Sequence, residues 1–141
     1  MTKQELRNLP KDLSHVVATD IDLTGIELLL AFRSLKSEVD ISPVIEKAAS
    51  FGIKTVYPGS DPFRFEDIEI KSISCPALML VPGLAFTADG KRLGRGGGFY
   101  DRTLSVLPSC VKTIGICKKS QLLEDIPTEV HDQKVQTVLA F

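Results

Sequence analysis

No block of consecutive lysines and arginines longer than two occurs in the chain, and 17 basic side chains are offset by 18 acidic ones, for a net charge of −1. That balance lacks the electrostatic footprint of a nucleic-acid binder, whose affinity rests on neutralising phosphates, though it leaves room for a local basic patch. Long hydrophobic runs are also missing. The longest, residues 28 to 32 and 77 to 82, fall far short of a membrane span, and Met1 to Arg7 has no apolar core of a secretion signal. The expectation is a cytoplasmic protein without a membrane segment. Cysteine is scarce: Cys75, Cys110 and Cys117 are odd in number and form no CxxC pair, which argues against a disulfide framework and against a zinc site. Reduced, mostly buried thiols are the expectation. Repeats and low-complexity segments are absent as well.

What is present is ordinary globular material: 141 residues, 43% hydrophobic and 25% charged, enough for one core and one domain over residues 1–141. Apolar runs of strand length alternate with helix-like stretches. Ile26 to Phe32 suits a strand covered on both faces. Ser42 and Pro43 then open a helix with Val44, Ile45, Ala48 and Ala49 on one stripe, stopped by Gly52. Ile53 to Pro58 reads as a strand, completing a unit whose natural geometry is a parallel crossover. Residues 59 to 67 read as a loop, 66 to 74 as a half-exposed strand, and Ala77 to Val81 as a second fully apolar strand. A helix over about Gly98 to Leu107, a strand over 111 to 116, a short helix and loop over 120 to 132 and a closing strand from Val135 complete the pattern. The alternation predicts an α/β fold, a three-layer α/β/α sandwich around a mainly parallel sheet. Ligands bind such sheets outside the carboxyl ends of the strands.

Between the 77–81 strand and the helix after it stands Gly94-Arg95-Gly96-Gly97-Gly98. So many glycines are entropically costly, and their use is to let backbone approach a ligand and take positive φ. Strand, glycine loop and helix in that order make a nest for an anion, with the amides of the first helical turn unpaired. The segment is not a Walker A loop, since no Lys-Ser/Thr follows, and Phe99 stands where the dinucleotide fingerprint needs its third glycine. Arg92, Arg95 and Arg102 add charge around it. Asp101 beside a triphosphate would repel it unless a cation lay between, which magnesium would supply. Two other readings stay open: a tight strand-to-helix turn with Asp101 as a helix-terminus charge, and an isolated RGG-type RNA contact. No convincing catalytic triad is present; His131 reads as structural and His15 as a surface or packing residue.

The stretch "PGLAFTADGKRLGRGGGFYDRTL", residues 82 to 104, resembles the signature of the 5-formyltetrahydrofolate cyclo-ligase (methenyltetrahydrofolate synthetase) family. Phe99 replaces the first of two tyrosines, and Thr87 stands where an aspartate usually follows the phenylalanine. Lys3 with Arg7, "SEVDI" at 37 to 41, and Gln121 with "IPTEVHD" up to Asp132 resemble further family segments in the same order. The family's fold is Rossmann-like, of the NagB/RpiA/CoA transferase-like group.

The resemblance implies an enzyme that uses ATP and Mg²⁺ to cyclise 5-formyltetrahydrofolate to 5,10-methenyltetrahydrofolate, releasing ADP and phosphate. Partners would be the reduced folate and ATP, with no nucleic acid or membrane, in a monomer, a dimer being the alternative. It implies that Lys3, Arg7, Arg92, Leu93, Gly94, Arg95, Gly96, Gly97, Gly98, Phe99 and Tyr100 bind the nucleotide. Glu38, Arg95, Gly96, Gly97, Gly98 and Phe99 would meet the folate, Arg95 and Tyr100 would take part in catalysis, and Asp101 with Asp132 would place the metal. Relative to the family the chain is short between Arg7 and Glu38 and between Tyr57 and Ala77, where the folate pocket is walled. The alternatives are a non-catalytic nucleotide- or folate-binding member and an ATP-using enzyme with a smaller formamide-like substrate.

Overall fold

The apolar runs pair with one another as parallel strands. The computed structural model describes residues 1–74 and 76–141, so the expectation for Cys75 lies outside the described residues. In chain order the elements are α1 (Lys3–Arg7), β1 (Leu28–Leu30), α2 (Ser42–Ser50), β2 (Lys54–Val56), β3 (Arg64–Phe65), β4 (Ile68–Glu69), β5 (Ala77–Val81), β6 (Ala85–Thr87), β7 (Arg92–Leu93), α3 (Phe99–Val106), β8 (Lys112–Cys117), β9 (Leu122–Leu123) and β10 (Thr137–Ala140). Five of the strands form one parallel sheet in the order β10-β8-β5-β1-β2.

Strand side chains alternate between two faces, and each face is apolar here because each is covered. Leu29, Leu78, Leu80 and Ile116 point into one core with Val44 and Ala48 of α2. Their neighbours Leu30, Met79, Val81 and Cys117 point into the other, with Phe65 and with Phe99, Tyr100 and Leu104 of α3. The result is the expected α/β fold in three layers. Gly52 follows α2 at φ 71°, the left-handed conformation that ends helices.

Four local readings need correction. Within residues 66 to 74 only Ile68–Glu69 is strand, and a 3₁₀ turn follows at Ile70–Ser72. Ile70 and Ile73, three apart, are both buried, a spacing a turn satisfies and a strand does not. The loop at 59 to 67 contains β3, because Phe65 is fully buried against α3. In place of a short α-helix after residue 119 the chain makes a 3₁₀ turn at Lys119–Gln121 and then β9, which pairs with β6. The Gln121 side chain stands in for backbone here, accepting from the Lys118 amide and donating to the Leu84 carbonyl. Finally, Cys110 is disulfide-bonded rather than a reduced thiol, whereas Cys117 is free and buried as expected.

Candidate functional site

A cleft of about 670 Å³ opens over the carboxyl ends of β1, β2 and β5. Phe32 follows β1, Pro58 and Gly59 follow β2, and Pro82 and Gly83 follow β5; all line it. Its volume suits a small-molecule ligand.

The antiparallel β6–β7 hairpin carries the glycine loop to the cleft, and it is seated by one ring. Phe86 lies on β8 at Gly115, where an added Cβ would come within 2.4 Å of the ring, and on Gly83, where it would come within 3.0 Å. The loop then runs from Gly94 into α3, whose N-cap is Gly98 at φ 70°, with Gly96 at φ 111°. Loop carbonyls are taken by cations: Arg7 Nε donates to the Gly94 carbonyl at 2.9 Å and Arg102 Nη1 to the Gly97 carbonyl at 3.2 Å. The backbone N–H groups from Arg95 to Asp101, by contrast, donate to no acceptor among the described residues. A run of unpaired amides beside bound cations is an anion cradle.

Arg92 Nε donates to the Pro82 carbonyl at 2.6 Å, and its guanidinium lies 5.1 Å from the centre of the Tyr100 ring. Desolvation lowers its pKa, against the pull of Asp101. Arg95 reaches across the cleft, donating to Ser37 Oγ at 3.2 Å and to Glu38 Oε2 at 3.3 Å. Glu38 is therefore no solvated carboxylate: its side chain is 7% exposed and also accepts from the Leu35 amide. Tyr100 is 8% exposed, and its hydroxyl is buried without a partner among the described residues. Burial pushes that phenol well above the ordinary tyrosine range. Phe99 packs edge-on to Tyr100 at 5.2 Å between ring centres.

Two carboxylates, Asp101 and Asp132, also line the cleft. Asp101 Oδ1 accepts from the Gln133 amide, and Asp132 Oδ2 accepts from the Glu129 amide and from Lys3 Nζ at 2.5 Å. Burial works against the Asp132 charge, but the Lys3 and Glu129 hydrogen bonds outweigh it and its pKa is lowered. No group of three or more His, Cys, Asp or Glu side chains among the described residues forms a metal cage. Magnesium needs none: it is commonly held by one or two carboxylates together with substrate phosphates and water. Two cleft-lining carboxylates, one of them bonded to the amide that follows the other, with Asp101 Oδ2 accepting no hydrogen bond among the described residues, fit that mode.

Of the residues singled out in the sequence, Lys3, Arg7, Glu38, Arg92, Gly94 to Tyr100, Asp101 and Asp132 line this one cleft. Leu93 does not bring its side chain there; it is buried with Ala85 and Ile126 beneath the hairpin. His131 is exposed where it lines the cleft, 3.8 Å from Asp132, and His15, outside the cleft lining, pairs with Asp40. Glu129, Phe32 and Leu35 also line the cleft; Glu129 lies in the IPTEVHD segment that resembles the family, whereas no sequence signal marked Phe32 and Leu35. Phe32 ends an apolar run and reads as core, and Leu35 stands outside every motif.

No helix of the described residues is long and apolar enough to cross a membrane. The model of the 5-formyltetrahydrofolate cyclo-ligase family matches residues 68–140. Over 118 residues the chain is 38% identical to a 5-formyltetrahydrofolate cyclo-ligase of Mycolicibacterium smegmatis, covering 84% of this chain and 54% of that one. The Escherichia coli K12 enzyme of the same name is 27% identical over 135 residues, covering 77% and 74%. A 5,10-methenyltetrahydrofolate synthetase structure from Mycoplasma pneumoniae superimposes with a TM-score of 0.66 at 26% identity, covering 80% of this chain and 72% of that one. An Aquifex aeolicus structure of the same name, 20% identical, shares the fold at a TM-score of 0.66 over 98% of this chain and 75% of its own. The chain spans about half the length of the mycobacterial relative and less, 41%, of a mouse one. Motif, cleft, fold and family match agree, and the chain belongs to the 5-formyltetrahydrofolate cyclo-ligase family.

Proposed function

We propose that the cleft binds ATP with Mg²⁺ and a reduced folate and converts 5-formyltetrahydrofolate to 5,10-methenyltetrahydrofolate, ADP and phosphate. The observation that carries this reading is the row of unpaired amides from Arg95 to Asp101, flanked by arginines and accompanied by the carboxylates of Asp101 and Asp132, in one cleft with an aromatic wall. Phosphoryl transfer asks for positioning and charge neutralisation rather than for a strong nucleophilic side chain, and these residues supply both.

In the reaction the formyl oxygen forms a bond to the γ-phosphorus as ADP leaves; N10 then bonds to the formyl carbon, loses its proton, and phosphate departs. Amides 95 to 101 and Arg7, Arg92 and Lys3 would hold the triphosphate. Arg95 would neutralise charge at the transferred group, leaving Glu38 to meet the pterin ring. Tyr100, kept protonated by burial, would act as a neutral hydrogen-bond donor rather than as a base. Phe99 and Phe32 would give the ring system its apolar contact. Magnesium held by Asp101 and Asp132 would offset phosphate charge.

A second reading, a binder without turnover, is favoured by one observation: the Glu38 carboxylate is already taken by Arg95 and the Leu35 amide. Phosphate release separates the two. The proposed activity requires release from ATP that depends on added 5-formyltetrahydrofolate and is lost in Asp101→Ala. ATP binding with no folate-dependent release would establish the binder.

A further inference from the structure

Helix α1 is five residues long with no buried residue, too short to persist alone in water. Three contacts dock it. Leu6 packs on the small core of Ala85, Leu93 and Ile126, Arg7 Nε holds the Gly94 carbonyl, and Lys3 Nζ sits between Asp132 and Glu129 at 2.5 and 3.3 Å. The third contact is unlike the others. Asp132 is one of the two carboxylates that fit a divalent cation, and the group paired with it is the ammonium of Lys3. Both partners are partly sheltered, with side-chain exposures of 15% for Lys3 and 10% for Asp132, which strengthens their attraction relative to a surface pair. The remaining neighbour, His131, lies 3.8 Å from Asp132 and 3.7 Å from Glu129, in position to add positive charge only if protonated.

We infer that Lys3 is an internal counter-ion of the metal carboxylate: Asp132 and Glu129 hold it while the cleft is empty, and a divalent cation at Asp132 displaces it and loosens α1. An ammonium and a divalent cation beside one carboxylate repel each other, so the two occupancies exclude one another in the absence of nucleotide. The freed ammonium then has a triphosphate as its next partner in the same cleft, which makes α1 a latch that couples cation and nucleotide binding. This rests on the reading of Asp101 and Asp132 as the metal pair.

The test uses the nucleotide-free protein and Mn²⁺ alone, with binding read by paramagnetic relaxation and α1 read by amide hydrogen exchange over residues 3 to 7. Expected are at least fivefold tighter Mn²⁺ binding by Lys3→Met than by the unaltered chain, loss of that binding in Asp132→Asn, and Mn²⁺-induced acceleration of exchange across α1. The exchange measurement needs no variant. Loss of binding in Asp132→Asn with equal affinity in Lys3→Met and unchanged α1 exchange would overturn the latch while leaving the metal pair standing. Unchanged Mn²⁺ affinity in Asp132→Asn would remove the metal pair and the latch together.

Discussion

Gly97 differs from the glycines on either side of it. Gly96 and Gly98 occupy positive φ, where a β-branched side chain is strained, whereas Gly97 does not, and a Cβ added there meets nothing within 4 Å. Replacement at the three positions therefore has different meanings. Gly98→Val is expected to lower stability by about 1–2 kcal/mol through backbone strain, seen as a lower denaturation midpoint. Gly97→Val is expected to fold normally yet bind ATP at least roughly tenfold more weakly, about 1.4 kcal/mol by calorimetry, because its side chain enters the space in front of the unpaired amides. Unaltered ATP affinity in Gly97→Val would remove the cradle. Cys117 gives a second residue-level expectation. Buried, with its thiol pushed up to about 11 by desolvation, it is expected to resist alkylation at neutral pH until the protein unfolds; labelling at a rate matching a model thiol would contradict its placement. The glycine density was legible in the sequence, but which glycines need their φ and which need only their missing side chain depends on the fold.

Helix α1 is held in part by titratable groups, the Lys3 pairs with Asp132 and Glu129. Asp132 has a pKa below its unfolded value of 3.8, so its contribution to docking is present above that value and lost as the pH falls through the lowered one. Lys3 is raised above 10.5: desolvation opposes the shift, and the hydrogen bonds to Asp132 and Glu129 outweigh it. Its contribution holds below 10.5 and is lost as the pH rises through the folded value. Helix α1 should thus stay docked across the neutral range and come away below pH 3.8 before the sheet does. Amide protection at residues 3 to 7 falling below that pH while β5 stays protected is the expected pattern; α1 and β5 losing protection together would contradict it. The parallel strands were legible because burial on both faces leaves an unbroken apolar run. The β6–β7 hairpin was not, since Gly83, Gly90 and Gly94 give residues 82 to 98 the composition of a loop. Ile70 and Ile73 misled in another way, because apolar residues on a 3₁₀ turn can sit inside a sequence that alternates like a strand.

At the scale of the molecule, the parallel sheet brings together residues that the chain keeps far apart, from Lys3 at one end to Asp132 near the other. A net charge of −1 conceals the arrangement, since Lys3, Arg7, Arg92 and Arg95 are gathered on one cleft. Their convergence was legible only through the order of family motifs; the Arg95–Glu38 contact and the Lys3–Asp132 pair were not, because tertiary packing sets them. Matching 54% of the mycobacterial relative, this chain holds the glycine loop, the arginines and both carboxylates in one site. The direct measurement is to mix the purified protein with 5-formyltetrahydrofolate and MgATP and follow the near-ultraviolet absorbance of the methenyl product, with Asp101→Ala alongside. Product that requires ATP and Asp101 is the expected result. No product under saturating MgATP, with ATP binding intact, would contradict the proposed reaction.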